Sequence, residues 1–199
     1  MNESPFNTDT PDNELIAAAR HDDEAAFKIL VDRYLPSVYG FCVRYTGNPS
    51  DAEDATQEAF LKAWRHLGRF NTQKSFKTWL FAIAKNSATD IMRKRRSVNI
   101  SQFDTADDSN VLIDTLADPE PLPEELFGRA TLAEDVRSSL KVLKPRDQTI
   151  LELHYVEDLS FENIARVLRM SPNTVRSLHR RALIALRKVL SGKLGDTTP

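Results

Sequence analysis

The chain has 199 residues, 41% of them apolar and 28% charged, with a net charge of −2. That is the composition of a soluble globular protein and the length of one ordinary domain or two small ones. The longest apolar run is six residues, against ~20 for a membrane span. The opening shows no basic stretch followed by an apolar one. A single cysteine, Cys42, excludes an internal disulfide framework and a multi-thiolate metal site.

Residues 1–11 are expected to be a disordered N-terminus. Residues 12–96 then read as helix after helix. DNELIAAARHDDEAAFKILVDRYL spaces Leu15, Ala19, Phe27, Leu30, Val31 and Tyr34 at helical intervals, with a break near His21–Asp23. A helix continues through SVYGFCVRY until Thr46-Gly47-Asn48-Pro49 stops it. Ser50, with Glu53 three residues on, offers a capping box for the next helix. Its apolar stripe is Ala55, Ala59, Phe60, Ala63, Trp64 and Leu67. GRFNTQKS reads as a polar loop. The helix FKTWLFAIAKNSATDIMRKRRS follows, with Trp79, Leu80, Ile83, Ser87 and Ile91 expected inward.

Residues 97–130 change character: eight acids against the single base Arg129, Pro119, Pro121 and Pro123 close together, and no sustained period. This tract is read as a flexible acidic linker. Residues 131–190 are helical again. Thr131 is placed to cap LAEDVRSSLKVL, Pro145 to open PRDQTILELHYVE, Ser160 to cap FENIARVLRM, and Ser171-Pro172 to start the long basic helix NTVRSLHRRALIALRKVL. Gly192 and Gly195 are expected to close the folded part, residues 191–199 forming a tail. The expected fold class is all-α, two small helical domains joined by the Pro-containing linker, the second a helix–turn–helix.

No phosphate-cradling glycine loop, HExxH pair or GxSxG elbow occurs. No catalysis, cofactor, metal or small-molecule substrate is therefore expected. Charge segregation carries the functional signal instead. Residues 51–58 hold four acids and no base, Arg93, Lys94, Arg95 and Arg96 are four consecutive bases, and Arg166 to Leu190 holds seven bases and no acid. Two basic patches separated by an acidic tract point to two contacts with a polyanion.

Within the second patch Val175, Leu178, Ala182, Leu186 and Val189 form one face, and Asn173, Arg176, Ser177 and Arg180 the opposite one. Those side chains suit base edges in a major groove, with Arg166, Arg169, Arg181 and Arg187 on phosphates. His179 flanks the buried face and is read as packing. In the first half, the acids of residues 51–58 either serve the helix dipole or meet a partner with a basic helical surface. Phe70, Phe76, Trp79 and Phe81, interleaved with Lys74, Lys77 and Lys85, are either core or a platform for unstacked bases. Asn86 and Asp90 inside a helix suggest a polar task, and residues 93–96 a phosphate contact.

The string SDAEDATQEAFLKAWRHLGRF with FKTWLFAIAKNSATDIMRKRR resembles region 2 of the extracytoplasmic-function sigma factors of bacterial RNA polymerase. LKPRDQTILELHYVEDLSFENIARVLRMSPNTVRSLHRRALIALRKVL resembles their region 4. The resemblance implies a cytoplasmic protein that binds core polymerase and promoter DNA. Asp51, Asp54, Gln57 and Glu58 would meet the β′ clamp helices. Phe70, Asn71, Lys77, Trp79, Lys85, Asn86 and Asp90, with Arg93, Lys94, Arg95 and Arg96, would read and melt the −10 element. Asn173, Thr174, Arg176, Ser177 and Arg180, with Arg166, Arg169 and Arg181, would bind the −35 element beside the β flap. Many members are held by an anti-sigma factor; the sequence identifies none.

The recognition helix departs from the common KSRLHRA pattern, reading RSLHRRA with Leu178 and His179 where arginine and leucine are frequent. The −35 sequence is therefore open. Two rival readings remain: a stand-alone helix–turn–helix regulator on a palindromic site, and an enzyme built on the carboxylates of residues 51–58.

Overall fold

Short-range capping signals set most helix boundaries. The structure, a computed structural model, describes residues 6–100, 138 and 140–195; the side chains of 96–100 and 190–195 lie outside the description. The chain divides into two compact units, Met1–Asp114 and Thr115–Pro199. Every element among the described residues is helical.

The first unit holds α1 (Asp12–Ala19), α2 (Glu24–Thr46), α3 (Pro49–His66), a 3-10 turn (Leu67–Arg69) and α4 (Phe76–Ile100). The break near His21–Asp23 is present. Asp22 takes a positive φ of 62°, and the Asp23 carboxylate caps α2 by accepting from the Ala26 N–H at 3.0 Å. Pro36 is accommodated inside α2, which exits at Gly47 with φ 68°, a left-handed conformation that costs glycine little.

The start of α3 differs from expectation. Asn48, not Ser50, is the cap: its side chain accepts from the Asp51 N–H at 3.0 Å, with Pro49 in the first turn. An extended asparagine followed by proline supplies both the acceptor and the preset φ, and Ser50 falls inside the helix.

Residues 7–11, expected to be disordered, are instead tied down. Arg33 donates to the Thr8 and Thr10 carbonyls at 2.7 and 2.6 Å and to the Asp12 carboxylate. The Tyr34 hydroxyl also donates to Asp12, and burial followed by that carboxylate raises the phenol's pKa.

α1 packs on α2, and α2, α3 and α4 pack on one another. Ala52, Ala55, Ala59 and Ala63 line the inner side of α3, small enough for close approach, around Leu30, Phe41, Leu80 and Phe81. The inward face of α4 is wider than expected. Leu80 and Ser87 are buried, but Trp79, Ile83 and Ile91 are only half-buried, while Phe76, Phe81, Ala84 and Ala88 fill the interior. Contact with both α2 and α3 widens the buried arc. α4 also continues through Ile100, past the expected boundary at residue 97. The rest of that linker through residue 130, and the expected Thr131 cap, lie outside the described residues.

The second unit holds α5 (Pro145–Tyr155), α6 (Phe161–Leu168) and α7 (Pro172–Gly195). Pro145 opens α5 as expected. Ser160 accepts from the Asn163 N–H at 3.2 Å, and Ser171 from the Thr174 N–H at 3.0 Å. Between α6 and α7 the chain turns at Arg169, with φ 55°. Ile164, Ala165, Val167 and Leu168 of α6 are buried, as are Val175, Leu178 and Ala182 of α7. α7 runs through Gly192 to Gly195, so the tail expected from residue 191 begins later.

Candidate nucleic-acid and partner interfaces

The four candidate polymerase contacts of α3 are divided. Asp54 and Gln57 are exposed. Glu58 is half-buried and sits 3.3 Å from Lys62, which donates to the Ser87 hydroxyl at 3.1 Å. The Asp51 side chain is only 16% exposed and accepts from Arg95 at 2.8 Å. Asp54, Gln57, Glu58 and the exposed Leu61 form one wall of an open groove of about 430 Å³. Its other wall carries Asp90, Arg93 and Lys94. Two residue sets separated in sequence thus border one surface. Leu61 lies off the apolar stripe of α3, and that mismatch is the signal that would have picked it out.

The aromatic residues divide between the two roles open to them. Phe70, Phe76 and Phe81 are buried. Phe70 meets Phe76 edge-on at 5.7 Å and Trp79 at 4.8 Å; Phe81 meets Phe41 at 5.4 Å. Phe70 therefore shapes the loop from inside rather than offering a ring to solvent. Trp79 alone of the four is half-exposed. It shares a face of α4 with Asn86, Asp90 and Arg93, at steps of seven, four and three residues. Lys85 and Asn86 are half-buried, and Asp90 pairs with Arg93 at 3.1 Å. Lys94 is exposed; the Arg96 side chain lies outside the described residues.

Asn71 is exposed and orders the loop by accepting from the Gln73 N–H at 2.9 Å. Arg20, which the sequence did not single out, donates to the carbonyls of Leu67 and Phe70 and holds the loop's entry. A second open groove of about 350 Å³ adjoins the loop, lined by Tyr34, Phe70 and Phe76 with Lys74 and Lys77. Lys77 also lies 5.8 Å from the Phe81 ring. Cations beside an exposed polar loop suit a phosphate backbone.

On α7, Asn173, Arg176, Ser177, Arg180 and Arg181 are exposed and Thr174 half-buried; Arg166 and Arg169 are exposed beside the turn. This is the surface the periodicity predicts. Arg176 is engaged, however: it donates to Glu162 of α6 and to the Asn173 side chain at 3.1 Å, 6.0 Å from the Phe161 ring. His179 packs as expected, its ring 5.0 Å from Phe161 and its Nε2 3.1 Å from the Tyr155 hydroxyl. Burial, and secondarily His154, lower its pKa. Among the described residues no cluster of histidine, cysteine and carboxylates is placed to hold a metal, and no helix is long and apolar enough to cross a membrane.

Residues 30–98 match the family model for Sigma-70 region 2, and residues 133–186 that for Sigma-70, region 4. The chain is 35% identical to the RNA polymerase sigma-H factor of Pseudomonas aeruginosa, over 95% of this chain and 98% of that one. It is 30% identical to the ECF RNA polymerase sigma factor SigW of Bacillus subtilis, over 88% and 94%. Among solved structures, CnrH in complex with the cytosolic domain of CnrY aligns over 91% of this chain and 97% of that chain, with TM-score 0.63 and 25% identity. The sigma factor RpoE of Bartonella quintana, in complex with the anti-sigma factor NepR, aligns over 83% and 96%, with TM-score 0.62 and 25% identity.

Proposed function

We infer how this chain works from one premise: it belongs to the extracytoplasmic-function sigma factors, which direct bacterial RNA polymerase to promoters. It binds core polymerase and promoter DNA, and the nucleotide chemistry is the polymerase's. One observation carries this reading: region 2 and region 4 occur in one chain in that order. A stand-alone helix–turn–helix regulator accounts for the second half only, and a carboxylate enzyme for neither.

Region 2 docks through the exposed wall of α3, with Asp54, Gln57 and Glu58 meeting the basic β′ clamp helices. Asp51 contributes by fixing Arg95. The loop of residues 68–75 and the α4 face of Trp79, Asn86 and Asp90 capture bases that leave the stack at the −10 element. Lys77, Lys85 and the run Arg93, Lys94, Arg95 and Arg96 hold phosphates. Asn71 shapes the loop from its surface and Phe70 from inside. Unstacking costs about a few kcal/mol per step, and captured bases together with phosphate contacts offset it, so opening needs no nucleotide hydrolysis.

In region 4, α7 enters the major groove of the −35 element. Asn173, Thr174, Arg176, Ser177 and Arg180 face the bases, and Arg166, Arg169 and Arg181 the phosphates. This unit also touches the β flap. The site of action is the cytoplasm, where the polymerase works. CnrH and RpoE were each solved with a partner, the cytosolic domain of CnrY and the anti-sigma factor NepR, which supports an anti-sigma partner for this chain as well.

Run-off transcription with purified bacterial core polymerase on a promoter library tests the reading. Transcripts that depend on the protein, with start sites sharing −10 and −35 elements, are the expected result. Asn86→Ala should then abolish opening while leaving duplex binding by the holoenzyme intact. No transcripts, together with tight binding of the isolated protein to a palindrome, would replace this reading with the regulator.

A further inference from the structure

Glu162 is the second residue of α6 and is exposed on its surface. It is also the carboxylate to which Arg176 of the recognition helix donates. Its neighbour Phe161 is held in place by the ring of His154, stacked at 4.6 Å, and by His179 at 5.0 Å. Arg176 lies over that ring at 6.0 Å and donates to the Asn173 side-chain oxygen at 3.1 Å. One guanidinium is thus held by a carboxylate, an aromatic ring and an amide.

We propose that Glu162 is a positioning residue for promoter reading, orienting Arg176 and, through it, Asn173. The inference rests on the reading of Arg176 and Asn173 as −35 contacts. A guanidinium presents five N–H donors. Two are engaged here, by Glu162 and Asn173, and the remaining three have no hydrogen-bond partner among the described residues. Reading guanine through O6 and N7 needs two donors aligned in the plane of the base, and a long flexible side chain loses rotamer freedom to achieve that. A ring under its face and a carboxylate at its edge restrict that freedom before DNA arrives.

The Asn173 amide is affected in turn. With one lone pair of its oxygen engaged by Arg176, the amide is fixed relative to the guanidinium, so the two readers are set together. Both partners of the Glu162–Arg176 pair are about half exposed, and such a pair adds little to stability in water. Its consequence appears when α7 enters the groove and water leaves.

The test compares wild type, Glu162→Gln, Glu162→Asp, Arg176→Ala and the Glu162→Gln/Arg176→Ala double variant, each full-length and assembled with core polymerase, on promoters randomised at the −35 element. Arg176→Ala is expected to remove discrimination of roughly tenfold or more at one or two adjacent base pairs. Glu162→Gln should lower it at those same pairs by about threefold, a part of what the bidentate contact gives, with other positions unchanged. Glu162→Asp should retain more discrimination than Glu162→Gln, and the double variant should lose no more than Arg176→Ala.

A wild-type profile for Glu162→Gln, an equal loss on every sequence, or a change at different base pairs from Arg176→Ala would overturn the positioning role while leaving Arg176 as a reader. No position-specific change in Arg176→Ala would overturn the reading beneath it as well. Matching thermal melts of the free variants establish that all are folded.

Discussion

Arg95 donates to the Asp51 carboxylate at 2.8 Å, joining the basic end of α4 to the first turn of α3 across 44 positions of sequence. The two partners were read from sequence as serving different macromolecules, DNA and polymerase. Their pairing ties the position of the run proposed to hold phosphates to the helix proposed to dock. Asp51 also sits in the first turn of α3, where a carboxylate is favoured by the helix dipole. Asp51→Asn should therefore cost about 1 kcal/mol in urea unfolding, and Arg95→Gln about 0.5 kcal/mol or less. Equal costs would mean that the dipole contributes nothing. Core-polymerase affinity should fall further in Asp54→Asn, whose carboxylate is exposed, than in Asp51→Asn.

The Thr78 hydroxyl is buried with no hydrogen-bond partner among the described residues. Thr46, Thr56, Thr89 and Thr149 each donate to the carbonyl four residues back. Thr78 sits in the first turn of α4, so residue 74 lies in the preceding loop and its carbonyl is not in that position. An unpaired buried hydroxyl is unfavourable by about 1–3 kcal/mol. Thr78→Val should raise the unfolding temperature of the first unit by a few degrees, of order 4 °C per kcal/mol, as read by calorimetry. A fall would mean that the hydroxyl is satisfied by water.

Arg169 occupies the left-handed region with φ 55° at the end of α6, where a Cβ is costly and glycine is not. Arg169→Gly should stabilise the second unit by about 1 kcal/mol. The same change removes the phosphate contact proposed for Arg169, so holoenzyme binding should weaken evenly across promoters and the slope of log K against log salt should fall by about 1. Stabilisation with an unchanged salt slope would exclude Arg169 from the DNA contact.

His179 has its pKa lowered, by burial first and by His154 second. The unfolded chain, with a histidine pKa of ~6.5, therefore holds more protons than the folded one in the window just below that value. Stability then rises with pH through the window. It is full above the unfolded pKa and is lost as pH falls towards the lowered one. Urea midpoints of the second unit should drop between about pH 7.5 and pH 5.5, and the drop should be smaller in His179→Gln. Identical slopes would remove His179 as the cause.

The all-helical class, the order of the elements and the exposed basic face of α7 were legible in the residues. Pro145, Ser160 and Ser171-Pro172 act within one turn of themselves. Val175, Leu178 and Ala182 announce a buried face by spacing alone. At the start of α3 the capping box pointed to Ser50, and the extended backbone two residues earlier made Asn48 the cap instead.

What only the tertiary structure decided concerns residues whose partners lie far along the chain. The periodicity of α4 offered Trp79 and Ile83 for burial, and packing on two sides took Phe76 and Phe81 instead. Phe70 and Trp79 carried the same aromatic signal, yet one is enclosed and the other stands half-open. Arg20 on the carbonyls of Leu67 and Phe70, Arg95 on Asp51 and Arg176 on Glu162 are pairings across 14 to 50 positions. The physical reason is range. Helix propensity, capping and amphipathic spacing act over three or four residues and can be read locally. The partner of a long charged side chain, and the side of a ring left to solvent, follow from which helices pack together and at what register.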